Sequence, residues 1–290
     1  GNWDNAAPYT GATPGWGHRL TDQSIPLTII GKMHFRSVED ENGFPDERLI
    51  MDVKDGVGDL FGIARQSMPP QGHMVENVRN AGAGETDYTR FDTAVAGEAV
   101  RWIETEAGLR GEPWCLWVSL VTPHFPYVAP QEYFDLYPVD EVEWPINGSA
   151  SAWPDHPVME IMRRLSMPIP GGEFDEETVR RAIAAYYGLV TFTDRQIGRV
   201  LDALEIAGLT ESTRIMYTSD HGEMLGDFGK WGKSCMYESS AAVPLIAAGP
   251  EIPEAKVVEE PVSLAAILPR KPLKNCMTNP FPGLVNCFVC

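Results

Sequence analysis

Three short apolar runs, residues 27–30, 114–120 and 215–217, each give way at once to charged or imidazole side chains. The runs are too short for helices and largely lack apolar–polar alternation. They read as strands buried on both faces, the mark of a parallel sheet packed between helices. The first ends in Gly31-Lys32-Met33-His34-Phe35, the second in Val121-Thr122-Pro123-His124-Phe125-Pro126-Tyr127, the third in Thr218-Ser219-Asp220-His221-Gly222. In open α/β sheets the carboxyl ends of the strands are where ligands bind. The spacing therefore predicts one rim on which Lys32, His34, His124, Asp220 and His221 meet. Glycines at 222, 226, 229 and 232 keep the next segment tight, and Lys230 and Lys233 bring positive charge back to that rim.

The residue types suggest a chemistry. Asp220 offers a hard oxygen, His221 a nitrogen, and a lysine can hold an anion. Together they suit a divalent cation carrying a phosphate or sulfate ester. An Asp-His pair after a strand also reads as an ordinary solvated turn. His124, held between two prolines, can donate a proton to a leaving alkoxide near neutral pH, or can simply be a packed loop histidine.

The remaining pattern is coarser. A short helix is expected over 15–22, a helix over 92–106 capped by Asp92, and a long or broken helix over 174–208 feeding the third strand. A further strand is expected over 243–247. Residues 36–90 read as loops with short elements, with His73 on the surface. Residues 130–172 read as a substrate-side insertion, where Tyr137, Trp144 and Trp153 either cradle an alkyl or ammonium group or pack the loop.

Charge bounds the partners. The 290 residues carry a net charge of −18, which excludes nucleic acid and anionic membrane as partners. No apolar run approaches the ~18 residues of a membrane span. Association with further copies is left open. Residue 1 is Gly and no signal-like apolar segment follows, so the chain is expected to start inside a longer protein. The last 27 residues, 264–290, carry three basic and no acidic side chains, four prolines and three of the five cysteines. Cys287-Phe288-Val289-Cys290 is a single C-x-x-C with no second pair, so no zinc site is read there. The sequence divides into a domain over 1–263 and an atypical tail over 264–290 that is not part of it. The tail is either a shifted reading frame or artificial end, or a genuine extension.

Taken together, Ser219-Asp220-His221-Gly222-Glu223, Leu225-Gly226-Asp227, Trp231-Gly232-Lys233 and Tyr237-Glu238, with Gly31-Lys32-Met33-His34 and Pro123-His124-Phe125-Pro126, resemble the sulfatase family of the alkaline-phosphatase-like superfamily. With Asp4-Asn5-Ala6-Ala7 and Asn42-Gly43-Phe44 added, choline-sulfatase-type members are most similar. Many members have His where this chain has Phe228. The resemblance implies an α/β three-layer sandwich around a mostly parallel central sheet. It implies Asp220 and His221 as metal ligands, with a divalent cation, calcium, as cofactor. Lys32 and Lys233 would bind the sulfate and act in catalysis, and His124 would contact it as general acid. His34 would assist the nucleophile, and Asn5, otherwise a turn residue, would lie near the sulfate.

The family nucleophile, a formylglycine formed in C-x-P-S-R or S-x-P-S-R, has no counterpart in these residues, and neither has the family's early Asp pair. First strand and nucleophile segment are thus expected upstream, which makes 1–263 a partial catalytic domain. The implied reaction is hydrolysis of a small sulfate monoester. Phosphonate monoester or phosphodiester hydrolysis on the same scaffold, or an inactive truncated chain, are the alternatives.

Overall fold

The computed structural model describes residues 9–53, 73–109, 113–148, 155–157, 174–233, 235–264 and 284–289. Helix α1 (Trp16–Thr21) leads into strands β1 (Leu27–Lys32) and β2 (Asp46–Met51). Then come α2 (His73–Arg79), the short β3 (Gly82–Ala83) and α3 (Asp87–Thr105). Strand β4 (Cys115–Leu120), β5 (Val128–Ala129) and α4 (Gln131–Phe134) precede the long α5 (Glu176–Ile206). Strand β6 (Arg214–Ser219), α6 (Glu238–Ala241), β7 (Leu245–Ala248) and β8 (Leu284–Val289) follow.

The main sheet has the order β2-β1-β4-β8-β6-β7. Its neighbours pair parallel except β7, which runs antiparallel to β6 at one edge. Strand β4 explains the layering. Leu116, Val118 and Leu120 join Ile30 in a core with Val95, Trp102 and Ile103 of α3 and Val200 and Leu204 of α5. Cys115 and Trp117 join Leu27 and Ile29 on the other face, beneath Leu20 and Trp16 of α1. A strand covered on both sides cannot afford alternation, and each such leucine contributes roughly 1.5–3 kcal/mol by leaving water. Helices flank the sheet on both faces, giving the three layers.

The two long helices start where side chains satisfy their first amides. Thr86 caps α3 by accepting from the Thr89 amide at 3.0 Å. Asp175 caps α5 by accepting from the Thr178 amide at 2.8 Å, with Glu176 and Glu177 in the first turn beside the positive end of the dipole. The chain leaves α5 through Gly208 at φ 69, the left-handed residue that ends the helix. The expected cap at Asp92 is wrong: α3 begins five residues earlier, and Asp92 lies inside it, fully buried. Tyr137 and Trp144 pack against α5. The Tyr137 hydroxyl is 2.7 Å from Thr191 Oγ1, and the Arg180 guanidinium stacks 5.6 Å from the Trp144 ring centre. Trp153 and the side chain of His73 lie outside the described residues.

The tail corrects the sequence reading most sharply. Residues 264–290 were expected apart from the domain, yet Leu284–Val289 is hydrogen-bonded between β4 and β6, in the middle of the sheet. Residues 265–283 and Cys290 lie outside the described residues. Leu-Val-Asn-Cys-Phe-Val has the length and β-branched, aromatic content of a strand, which the charge and proline break before it obscured. Asn286 pairs with Trp117 on one side and Met216 on the other. Asn286→Pro removes an amide donor from a central strand and is expected to cost ~3 kcal/mol or more, read as a lowered urea midpoint. An unchanged midpoint would mean that this strand contributes nothing to the sheet.

Candidate active site

Each strand end delivers its side chain for a local reason. In β1 the pairing with β2 slips between Ile30 and Lys32. Gly31 sits at φ 111, and a Cβ there would stand 1.9 Å from the Ser119 carbonyl oxygen. Only glycine lets β1 press this closely on β4 while the slip re-aims Lys32. Lys32 is buried, and two residues on, His34 has φ 54, a left-handed conformation that is costly for a residue with a Cβ.

Past β4 the chain turns at Val121–His124, closed by the His124 amide to the Val121 carbonyl at 3.1 Å. Thr122–Pro123 and Phe125–Pro126 are both cis. His124 Nδ1 bonds the Phe125 carbonyl at 2.8 Å, which makes Nδ1 the protonated nitrogen and leaves Nε2 as the acceptor. His221 repeats the arrangement after β6, with Nδ1 donating to the Gly222 carbonyl at 2.8 Å. Its Nε2 accepts from the Lys233 ammonium at 2.5 Å and is 3.5 Å from Asp220 Oδ1.

These groups share one neighbourhood. The rings of His124 and His221 are 6.0 Å apart. Burial, then Lys233 and Lys32, lower the His124 pKa to about 3. Burial, then Lys32 and Lys233, lower His34 to about 4, with Asp220 opposing. His34 remains exposed as a residue, so solvent screens much of that effect. Burial also lowers His221, with Asp220 opposing and Lys233 reinforcing. Lys32, His34, His124, Asp220, His221 and Lys233 therefore meet at the carboxyl end of the sheet, as the strand-end argument expected. Asn5 lies outside the described residues. A cavity of about 340 Å³ opens beside His124 and His221, between α5 and β6, with Tyr186, Thr193 and Tyr217 in its wall.

Two supports escaped the sequence reading. Glu223 receives the amides of Leu225 at 3.1 Å and Gly232 at 2.5 Å, folding the 223–232 loop so that Lys233 returns to the rim. Burial raises its pKa. Asp92 holds the turn before His124. The sequence offered Asp92 only as a helix cap and Glu223 only as one residue of the motif after β6. Phe228 stacks on Tyr237 with ring centres 4.4 Å apart.

Asp220 and His221 alone do not fit a calcium-type ion, which takes ~6–8 oxygens. His221 supplies nitrogen, and the Lys233 ammonium stands on it. Among the described residues no group of three His, Cys, Asp or Glu could hold a metal. The described residues supply at most part of a metal site.

A parallel sheet whose strand ends gather two lysines and three histidines defines an α/β protein with an anion-accepting rim. The sulfatase family profile matches residues 20–270, and the chain belongs to that family. It is 34% identical over 262 residues to a choline-sulfatase of Rhizobium meliloti, covering 86% of this chain and 50% of that protein. It is 33% identical over 194 residues to a sulfatase of Formosa agariphila, covering 65% of this chain and 38% of that one. The chain thus spans about half or less of the length of these relatives. Its fold is that of a phosphonate monoester hydrolase from Silicibacter pomeroyi, with a TM-score of 0.60 at 22% identity, covering 86% of this chain and 55% of that one. Sulfatases generally use a divalent metal and a formylglycine nucleophile.

Proposed function

We propose that the rim hydrolyses a small sulfate monoester in the full-length protein, with a formylglycine nucleophile supplied from outside these 290 residues. The observation that carries this reading is the meeting of Lys233, His221 and His124 at one rim of the sheet, inside a member of the sulfatase family. Lys32 and Lys233 bind the sulfate oxygens and balance the charge that grows in the transition state. His124 Nε2 faces the leaving oxygen and delivers its proton, and His34 assists at the nucleophile. Asn5 adds a contact to the sulfate. Asp220 and His221 contribute to a divalent cation site, calcium by our reading, that other residues complete.

Substrate charge matters at this rim. Burial, and after it the two ammonium groups beside the ring, keep His124 neutral at pH 7, where it cannot act as an acid. An ester anion seated between the lysines offsets their part of that shift and raises the imidazole towards working pH. The test is a side-by-side assay of sulfate and phosphonate monoesters with the full-length protein and calcium. Sulfate ester turnover is expected to dominate, and Lys233→Ala is expected to lower it ~10²–10³-fold. Preferential phosphonate hydrolysis would replace the reading with the alternative one.

A further inference from the structure

We propose that Asp92 is a positioning residue for the proposed general acid, holding the turn that aims the His124 imidazole at the leaving oxygen. The inference rests on the sulfatase reading for its catalytic part and on geometry for the rest.

Asp92 lies in mid-helix on the core face of α3, with Val95, Ala96 and Ala99 as apolar neighbours. It is 0% exposed, and among the described residues it is the one acid in the buried set. A carboxylate in such a place must be repaid by donors. Its Oδ1 accepts from the Val121 amide at 2.8 Å, and its Oδ2 from the Thr122 amide at 2.7 Å and the Thr122 hydroxyl at 2.6 Å. These are the first two residues beyond β4, and the same turn closes on His124. Thr193 of α5 stands behind, its hydroxyl 2.8 Å from that of Thr122. One side chain thus satisfies two amides that leave the sheet inside the core, and fixes the chain two residues before the catalytic imidazole.

The charges around it agree. Among the described residues three donors and no acceptor hydrogen-bond the carboxylate, which therefore suits the anion. Lys32, from β1, favours the anion too. From α5, Arg199 is engaged with Gln196 Oε1 at 2.6 Å. Burial raises Asp92 to about 6 against those hydrogen bonds. A proton on Asp92 would turn one acceptor into a donor facing a donor. The turn should hold above about pH 6 and loosen as pH falls through it.

A role in aiming a general acid differs from mere support by its dependence on the leaving group, because a good leaving group needs no acid. In the full-length protein, Asp92→Asn is expected to lower kcat for phenyl sulfate ~10–100-fold and for 4-nitrophenyl sulfate much less, with KM little changed. The acid limb of the kcat profile near pH 6 should vanish. Thr122→Val, a milder change that keeps both amides, should shift the same ratio by a smaller factor and serves if the first variant misfolds.

Equal losses with both esters would overturn the proposal, as would no loss with either. The 290-residue chain gives an independent arm by NMR. The Thr122 amide should titrate with a midpoint near that of Asp92, and the His124 ring signals should move in Asp92→Asn. If the full-length protein turns over no sulfate ester, the sulfatase reading fails. The amide and ring signals then decide whether Asp92 sets the His124 turn, and static signals would overturn that.

Discussion

His124→Ala is expected to lower kcat for alkyl sulfates by ~10²–10⁴-fold in the full-length protein, the range typical of a lost general acid. An alkoxide is a poor leaving group and needs the proton. A nitrophenolate does not, so 4-nitrophenyl sulfate should lose far less. The position of the ring makes this specific. His124 Nδ1 is committed to the Phe125 carbonyl at 2.8 Å, so only Nε2 can carry the transferred proton. Burial and the lysines hold the ring near a pKa of about 3. Bound ester must raise it before it can work.

The sign in pH follows. A general acid acts protonated, so kcat should fall as pH rises through the raised value in the complex. That limb should disappear in the variant. Unchanged alkyl sulfate turnover, or an equal loss with both esters, would remove His124 from the proton path.

What the sequence revealed, and what it hid, has a physical pattern. Buried parallel strands announce themselves by continuous apolar runs, and the residues after them have little choice of position. Lys32, His124 and Asp220-His221 are therefore legible as one rim in the sequence itself. Lys233 was legible because glycines flank a short return.

Asp92 was misread because an Asp near a helix start is usually a cap, and Thr86 had already taken that place. Its true partners, Val121 and Thr122, lie 29 and 30 residues away, and nothing local in the chain points to them. Strand β8 was misread for the opposite reason. Its six residues are a good strand, but the prolines and basic residues before them dominated the composition of the window. A strand that pairs on both sides is chosen by the slot between its neighbours, and composition cannot see a slot.

The 290-residue chain on its own is expected to show no sulfate-ester turnover above background, while the full-length protein turns over. Lysines and histidines can bind and polarise a sulfate ester, but binding the ground state and the transition state alike does not speed the reaction. A covalent route needs an activated nucleophile. None of the six rim residues is one, Cys115 is buried in the sheet, and no C-x-P-S-R occurs in the sequence. The metal side is equally incomplete. With one exposed carboxylate and an imidazole already holding an ammonium at 2.5 Å, calcium affinity should be weak. The lysines should nonetheless keep a weak affinity for sulfate, measurable by titration calorimetry and lost in Lys233→Ala. The assay sets the chain, with calcium and choline or aryl sulfate, beside His124→Ala. Turnover that disappears in the variant would mean that a nucleophile sits within these residues. An inactive chain that still binds sulfate at the rim, beside an active full-length protein, is the expected result.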